Sequence, residues 1–341
     1  MSDGAIARAL PLDYGDTSAE YHAVRAGAGV VDRSDLGVVD VTGRDRAAFL
    51  HALLTNEIKA LGPGQGCAAT LLDIHGKVQV TLLVWVLDDR ILLVTPPGMA
   101  AATLELLDKY LFAEKVVLED VSDTRALLLL AGPDAPALVK RLAGAAPPDM
   151  AWSSVAGAID GVSLRVVRGG GETGAPELWL LLPADARPRV WDALVAAGAR
   201  PVGAAALETL RIEAGSPRFG DDLGPSVLLP EVPFEHLVSQ TKGCYPGQEV
   251  VVRIRDRGHV NRRLRGLVLE GDVVPAVGAE VVADGASVGQ VTSATRSPRL
   301  GRPIALAFVR RQHAEPGTRV AVRTADAPVP AIVSDLPFAT H

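Results

Sequence analysis

One short segment combines a thiol, a cation and two glycines, and these residue types together could do chemistry. Residues 242–249 read KGCYPGQE, in which two glycines and a proline favour a sharp loop over a helix. A thiol placed two residues from Lys242 would feel a positive charge, which favours the reactive thiolate of Cys244. Gln248 offers both a donor and an acceptor for a heterocycle. An isolated loop cysteine is more often structural, so the segment alone leaves both interpretations open.

The elements that must position this segment can be predicted from periodicity and turn signals. Residues 38–41 predict a strand, and residues 45–54 predict a helix with Leu50, Leu53 and Leu54 on one face. Within residues 71–94, two apolar runs flank a polar turn at 88–90 and predict a hairpin. Three further helices are predicted, over residues 99–111, 188–198 and 202–214, the last ending at Gly215.

A weak internal repeat appears in the first half of the chain. Residues 127–130, a G-P-D turn and a helix over 135–142 repeat the order of strand, G-R-D turn and helix at residues 38–54. This order suggests two related α+β units. The alternative is that each G-x-D only caps an unrelated helix, because Asp suits a helix N-terminus.

The length of the chain and a change in its residue pattern predict the domain organisation. A chain of 341 residues suggests two or three domains. After Arg265 short alternating segments with turns such as Asp284-Gly285 are typical of a small barrel or sandwich. We predict an α+β region over 1–125, a second α+β region with the cysteine segment over 126–255, and a β domain over 256–335. Interleaving of the first two regions is left open.

Composition argues against several functional classes. A net charge of -6 disfavours a general nucleic-acid binder, which needs a basic field. Two cysteines without a CxxC pair, and seven scattered histidines, predict neither a disulfide framework nor a metal site. Residues 1–12 lack a secretory signal, and the apolar runs are strand-sized. We therefore expect a protein of the reducing cytoplasm, without a membrane anchor.

Residues 242–249 resemble the K-G-C-[FY]-x-G-Q-E motif of the YgfZ family of folate-binding proteins. That family is related to the glycine-cleavage T-protein, an aminomethyltransferase. Residues 211–220, RIEAGSPRFG, and 253–264, RIRDRGHVNRRL, also agree, while residues 30–55 and 64–94 resemble the T-protein opening. The resemblance covers most of the chain and is most specific at the cysteine motif.

The resemblance implies a three-domain, α+β, aminomethyltransferase-like fold around a central folate cavity, with a C-terminal β barrel. It implies tetrahydrofolate, or a one-carbon-substituted folate, as cofactor. It also implies a role in iron–sulfur cluster assembly or repair that needs Cys244, with iron–sulfur client or assembly proteins as partners. We therefore expect the Cys244 thiol, activated by Lys242, to line the mouth of the cavity.

Other candidate residues follow from the same resemblance. Glu213 matches the T-protein glutamate that meets the pterin, where a carboxylate can accept hydrogen bonds from N–H groups. The alternative is a surface carboxylate at a helix end. The candidate folate-binding residues are Glu213, Tyr245, Gln248, Glu249, Arg253 and Arg262.

One departure from the T-protein bears on activity. The T-protein segment G-x-[IV]-x-D-D carries an Asp that is central to methylene transfer, whereas residues 76–81 read GKVQVT. Transfer needs a group that manages protons at the folate nitrogens, and neither Val80 nor Thr81 can do so. We therefore favour an accessory folate-binding protein over an aminomethyltransferase, and leave open whether the chain is an enzyme. A non-catalytic partner-binding module is a further alternative.

Six arginines lie within residues 253–265, opposed only by Asp256. In an extended hairpin, Arg253, Arg255 and Arg257 would share one face. Such a face could bind the glutamate carboxylates of folate, an acidic partner or RNA, and a solvated edge strand is the alternative. RNA is disfavoured because only Tyr245 lies near enough to stack on a base.

Overall fold

The computed structural model describes residues 9–339 and, for Arg257, only the backbone. The helices are α1 (Thr17–Ala26), α2 (Arg46–Leu53), α3 (Ala100–Asp108), α4 (Ala135–Ala143), α5 (Arg187–Ala196), α6 (Ala204–Glu213) and α7 (Gln248–Arg257). The strands up to residue 201 are β1 (Gly29–Asp32), β2 (Gly37–Thr42), β3 (Gly66–Leu72), β4 (Val78–Val86), β5 (Ile91–Thr95), β6 (Val117–Asp120), β7 (Arg125–Ala131), β8 (Ser154–Ile159), β9 (Val162–Arg168), β10 (Glu177–Pro183) and β11 (Arg200–Pro201). The later strands are β12 (Arg262–Leu269), β13 (Glu280–Ala283), β14 (Ala286–Ser297), β15 (Arg302–Arg310), β16 (Arg319–Val322) and β17 (Val329–Ser334).

Two sheets are stacked and share a core. The first has the strand order β11-β1-β7-β10-β9-β8, and the second has the order β3-β4-β5-β2-β6. The apolar run of β7 is buried on both faces: Leu128 and Leu130 pack toward α4 and α5, whereas Leu127 and Leu129 pack toward the second sheet. Helices α2 and α3 cover the outer face of the second sheet.

The internal repeat is present in the structure, once in each sheet. In both units a strand leads through a glycine of positive φ into a helix, at Gly43 (φ 97) between β2 and α2 and at Gly132 (φ 128) between β7 and α4. A Cβ atom there would lie 2.0 Å and 2.2 Å, respectively, from a backbone carbonyl oxygen. Neither Asp45 nor Asp134 makes a side-chain cap, so the glycines rather than the aspartates fix both turns.

The C-terminal part is a closed barrel in the order β12-β15-β14-β13-β16-β17. The α+β fold with a C-terminal barrel is therefore confirmed. Helix α6 packs on β14, and the buried Arg211 at its end pairs with Asp222 at 2.7 Å. The domain boundaries at 125 and 255 stay a prediction; β1 pairs with β7, although β2 to β6 lie between them in the chain.

The extended hairpin expected for Arg253 to Arg257 is wrong, because these residues end helix α7. Val251 and Ile254 lie three positions apart, and Val251 is buried in the core, which is a helical pattern. Residues two apart on a helix are separated by about 200°, so Arg253 and Arg255 do not share a face. The β3–β4 turn, α1, β1 and β8 to β10 are elements that the sequence analysis did not predict. Within residues 9–339, every helix is too short or too polar to cross a lipid bilayer.

Candidate functional site

A central cavity lies where the two sheets, the segment after α6 and the end of the barrel meet. Its volume is about 420 Å³. The walls are mostly apolar and include Leu36, Leu82, Leu83 and Val94, while Pro337 closes the barrel side. Thr81 also faces the cavity, whereas its neighbour Val80 packs beneath α2 and α3. The cavity-facing position of the GKVQVT segment therefore carries a hydroxyl and no carboxylate.

A buried arginine forms one polar corner of this cavity. Arg33 follows β1, donates from Nε to Asp35 at 3.1 Å, and donates from Nη1 to both oxygens of Glu172, at 3.3 and 3.2 Å. Burial lowers the pKa of Arg33, but the charges of Glu172 and Asp35 outweigh burial and raise it overall. The guanidinium also lies 5.6 Å from the ring centroid of Trp179. This corner is therefore a fixed cation flanked by two carboxylates.

A glycine-rich loop surrounds the carboxylate of Glu177, which lies beside the same corner. Glu177 is buried and accepts hydrogen bonds from Gly171 N at 2.9 Å, from Thr173 Oγ1 at 2.7 Å and from Thr173 N. A Cβ atom on Gly169 would lie 2.7 Å from Glu177 Oε2, so the loop needs glycine there. Burial and the charge of Glu172 raise the pKa of Glu177. The two lining carboxylates thus differ, Glu172 being half-exposed and Glu177 enclosed.

Trp179 completes the polar corner from β10. In the part of the chain that the structure describes, its indole N–H is buried and has no hydrogen-bond acceptor. Buried tryptophan N–H groups usually find a partner. The corner therefore places this buried N–H beside the cation and the two lining carboxylates, Glu172 and Glu177.

Glu213 is buried rather than at the surface, which excludes the surface alternative. Its carboxylate accepts hydrogen bonds from Tyr21 Oη at 2.8 Å, Arg25 Nη2 at 2.5 Å and Ser297 Oγ. Arg299 lies 3.7 Å away. These contacts join α1, α6 and β14, and Glu213 is not among the described residues that line the cavity. Its role as a pterin ligand stays a prediction.

Lys242 anchors the cysteine segment rather than pointing to its thiol. The Nζ atom donates to the carbonyl oxygens of His51 and Leu54 at the end of α2, and lies 5.1 Å from the ring centroid of Tyr245. Burial lowers the pKa of Lys242 to about 8. Its charge acts on the buried Cys67, whose pKa burial raises to about 12. The activation of Cys244 by Lys242 stays a prediction, although the ammonium makes its contacts elsewhere.

Cys244 is a free, exposed cysteine. The expectation that it lines the mouth of the central cavity is not met, because the lining includes His236 and Leu237 but not the motif that follows. The physical reason lies in the anchors of the loop. Lys242 holds one end, and at the other end Gly247, with φ 78, packs against the β3–β4 turn. The thiol is left on the outer surface between them.

The remaining candidates lie around the same loop and away from the cavity. Tyr245 is buried in the core between the second sheet and the barrel, and Gln248 and Glu249 begin α7. Arg253 is exposed beside a groove that His75 and His259 also line. Arg262 pairs with both oxygens of Glu231 at 3.1 Å, and its guanidinium lies 4.3 Å from the ring centroid of Phe308. Their roles as folate ligands stay predictions.

The cavity corner is what the sequence analysis missed. Arg33, Glu172 and Trp179 were not singled out. The usable signal was the run of glycines at 169–171, followed by Glu172 and then Glu177, since glycine permits close approach of backbone to a ligand or side chain. Among the described residues, no group of His, Cys, Asp and Glu side chains could hold a metal ion.

Comparison with known proteins agrees across the chain. Residues 9–242 match the family model described as GCVT N-terminal domain, and residues 262–339 match the glycine cleavage T-protein C-terminal barrel domain. An aminomethyltransferase of Streptomyces avermitilis is 35% identical over 320 residues, covering 91% of this chain and 85% of the relative. One from Frankia alni is 36% identical over 342 residues, covering 96% and 91%. The crystal structure of glycine cleavage system aminomethyltransferase T from Bartonella henselae superposes with a TM-score of 0.87 at 25% identity, covering 97% of this chain and 91% of that chain.

Proposed function

The chain belongs to the family of the glycine cleavage T-protein, and from that premise we propose that its central cavity binds a tetrahydrofolate for one-carbon transfer. One observation carries the proposal: the cavity has mostly apolar walls and a polar corner built from Arg33, Glu172, Glu177 and Trp179. Ligand sites combine these two features, with a few convergent polar groups that fix orientation.

The residues present fit a reduced folate. A cavity of about 420 Å³ is within the size range of small-molecule sites. The pterin ring offers amino and ring N–H donors, which the half-exposed carboxylate of Glu172 can accept. Arg33 would hold Glu172 in one orientation, while Leu82, Leu83 and Val94 exclude water. A bound tetrahydrofolate supplies two nitrogen atoms that can carry a one-carbon unit.

The binding step is tested by titration with 5-formyltetrahydrofolate, a reduced folate that resists oxidation. We expect saturable binding by the wild-type protein and at least tenfold weaker binding by Glu172→Gln, which loses a charge-assisted hydrogen bond. Glu105→Gln, the same change on the exposed face of α3, is the matched control and should bind as wild type does. Equal affinity in Glu172→Gln would remove the polar corner from the proposal.

Transfer is tested separately from binding. The relatives named above are aminomethyltransferases, and the corresponding reaction would convert a donor X–CH2–NH2 and tetrahydrofolate into methylenetetrahydrofolate, X–H and ammonia. We propose this activity for the chain because it belongs to their family and has a central cavity of suitable size. The measurement is ammonia release that depends on both donor and folate. Folate binding without ammonia release would favour the second candidate.

That second candidate is an accessory protein of the YgfZ type, which supports iron–sulfur proteins while holding folate. Two observations favour it: Thr81 faces the cavity where the T-protein motif has a carboxylate, and Cys244 presents a free thiol at the surface. Its test is the activity of iron–sulfur enzymes in cells that carry Cys244→Ala or, as control, Cys67→Ala. Normal enzyme activity in Cys244→Ala cells would reject the thiol role.

A further inference from the structure

Trp152 lines the central cavity in a backbone conformation that tryptophan rarely adopts. Its φ angle is 64°, in the left-handed region. A bulky residue there is an outlier that costs on the order of 1–3 kcal/mol and persists only when its surroundings impose it. Strained backbone conformations concentrate at functional sites, so the contacts that hold Trp152 in this conformation bear on its role.

Contacts from both sheets impose this conformation. The Trp152 N–H donates to Arg168 O at 2.9 Å at the end of β9, and the neighbouring Ser154 N–H donates to Gly64 O at 2.7 Å in the loop before β3. A Cβ atom on Gly66 would lie 2.8 Å from the Trp152 carbonyl oxygen. The segment is therefore clamped between the first and second sheets, and glycine makes room for its backbone.

A second glycine makes room for the indole. A Cβ atom on Gly170 would lie 2.2 Å from Cζ2 and 2.8 Å from Cη2 of Trp152, so the six-membered ring rests on the Gly170 backbone. Gly170, Gly171 and Glu172 continue the cavity lining directly from that contact. The indole is half-buried, supported by protein on the Gly170 side and bordering the cavity beside the polar corner.

We infer that Trp152 is the stacking wall of the cavity and selects ligands with a planar heteroaromatic ring at the polar corner. The inference rests on the proposed folate function and deepens it. The pyrimidinone ring of a pterin is planar, and its edge would meet Glu172 while its face meets the indole. Stacking of a heterocycle on an aromatic side chain is a favourable contribution to binding. Glycine at 170 is then required because it sets the depth of the wall.

The alternative is that Trp152 only plugs the gap between the sheets, and a set of variants separates the two roles. Trp152→Leu keeps apolar volume without a ring, and Trp152→Phe keeps a ring. Trp152→Gly removes the side chain that makes the positive φ unfavourable. Gly170→Ala places a methyl group where the indole packs and so displaces the indole. Trp191→Leu, on α5 and away from the cavity, is the matched control. Each variant is titrated with 5-formyltetrahydrofolate and with 6-methyltetrahydropterin, and its thermal unfolding is recorded.

We expect Trp152→Leu and Trp152→Gly to weaken both ligands about tenfold. Trp152→Phe should stay within about threefold of wild type, since a phenyl ring still offers a stacking face. Gly170→Ala should weaken binding several-fold although Trp152 is present. Ligand quenching of tryptophan fluorescence should fall in Trp152→Phe and persist in Trp191→Leu.

Three results would overturn the inference, and the third is distinguishable from the first two. If wild type binds 5-formyltetrahydrofolate and Trp152→Leu binds it equally well, the indole is only a structural plug and the proposed function stands. If affinity falls only in proportion to a loss of thermal stability, the same conclusion holds. If wild type binds neither ligand, the proposed function fails and the inference fails with it.

Discussion

The central cavity and the cysteine loop are built in opposite ways. The cavity lining spans positions 33 to 337 and draws on both sheets and on the segment that ends the barrel. The loop is a run of consecutive residues, 242–249, anchored at its two ends by Lys242 and Gly247. The cavity encloses charge, whereas the loop leaves its thiol exposed.

This difference teaches that a conspicuous motif and a ligand pocket need not coincide. The family resemblance is most specific at the loop, yet the polar corner suited to a folate lies among residues without a conspicuous motif. If the loop serves partners and the cavity serves a small molecule, substitutions in one should leave the function of the other intact. The predictions below test that separation, from the largest expected effect to the smallest.

Arg33→Met should have the largest effect, because it leaves Glu172 and Asp35 without their cation. We expect a loss of about 3 kcal/mol in the free energy of unfolding, together with loss of folate binding. Urea unfolding and ligand titration measure the two effects. Arg189→Met, which removes an exposed pair with Asp160, is the control and should leave stability close to that of wild type. Similar losses in both variants would contradict a built polar corner.

Gly247→Ala tests how the loop is anchored. At φ 78 an alanine is strained, and its Cβ would lie 2.4 Å from Asp73 O in the β3–β4 turn. We expect destabilisation of about 2 kcal/mol in urea unfolding, with folate affinity unchanged. Gly243→Ala is the matched control, because a Cβ there meets nothing within 4 Å. Weaker folate binding by folded Gly247→Ala would show that loop and cavity are coupled.

The sequence predicted those parts of the fold whose signals are local. Helix α6 and its end at Gly215 follow from apolar spacing and a residue of positive φ. The G-x-D turns predicted two similar units because each glycine is demanded by a close backbone approach. The alternating arginines predicted an extended hairpin instead of helix α7. The spacing of three residues between Val251 and Ile254 is the pattern that indicates a helix.

The polar corner could not be predicted because its partners are distant in the chain. Arg33 and Glu172 lie 139 positions apart, and only the pairing of β1 with β7 and of β7 with β10 brings their strands together. Likewise, Lys242 appeared to activate its near neighbour Cys244, whereas the fold directs its ammonium to His51 O and Leu54 O. Closeness in sequence did not predict which side chains contact each other where a long side chain could point into the core.

Lys242 gives the loop a pH dependence in the alkaline range. Burial lowers the pKa of Lys242 to about 8, whereas an unfolded lysine titrates near about 10.4. Between these values only the unfolded chain binds the proton, so the free energy of unfolding should rise with pH. Relative to Lys242→Met, we expect a gain on the order of 2 kcal/mol between pH 8 and pH 10.5. Urea unfolding across this range measures it, and the difference cancels the titration of Cys67, which both proteins share. A difference that stays flat or falls with pH would contradict a buried, weakly basic ammonium.

The smallest effect on stability is expected for Cys244→Ser, below about 0.5 kcal/mol, because the side chain is exposed. Cys67→Ser, which places a hydroxyl in the core, is the matched control and should cost about 1–2 kcal/mol.

In the native protein iodoacetamide should alkylate Cys244 and spare Cys67, whose burial raises its pKa to about 12; unfolding should expose both. Mass spectrometry of the native and unfolded protein measures the two sites. If Cys244→Ser instead destabilised the protein as much as Cys67→Ser, the thiol would be part of the packing. It would then not be free for a partner, and the accessory role would lose the observation on which it depends.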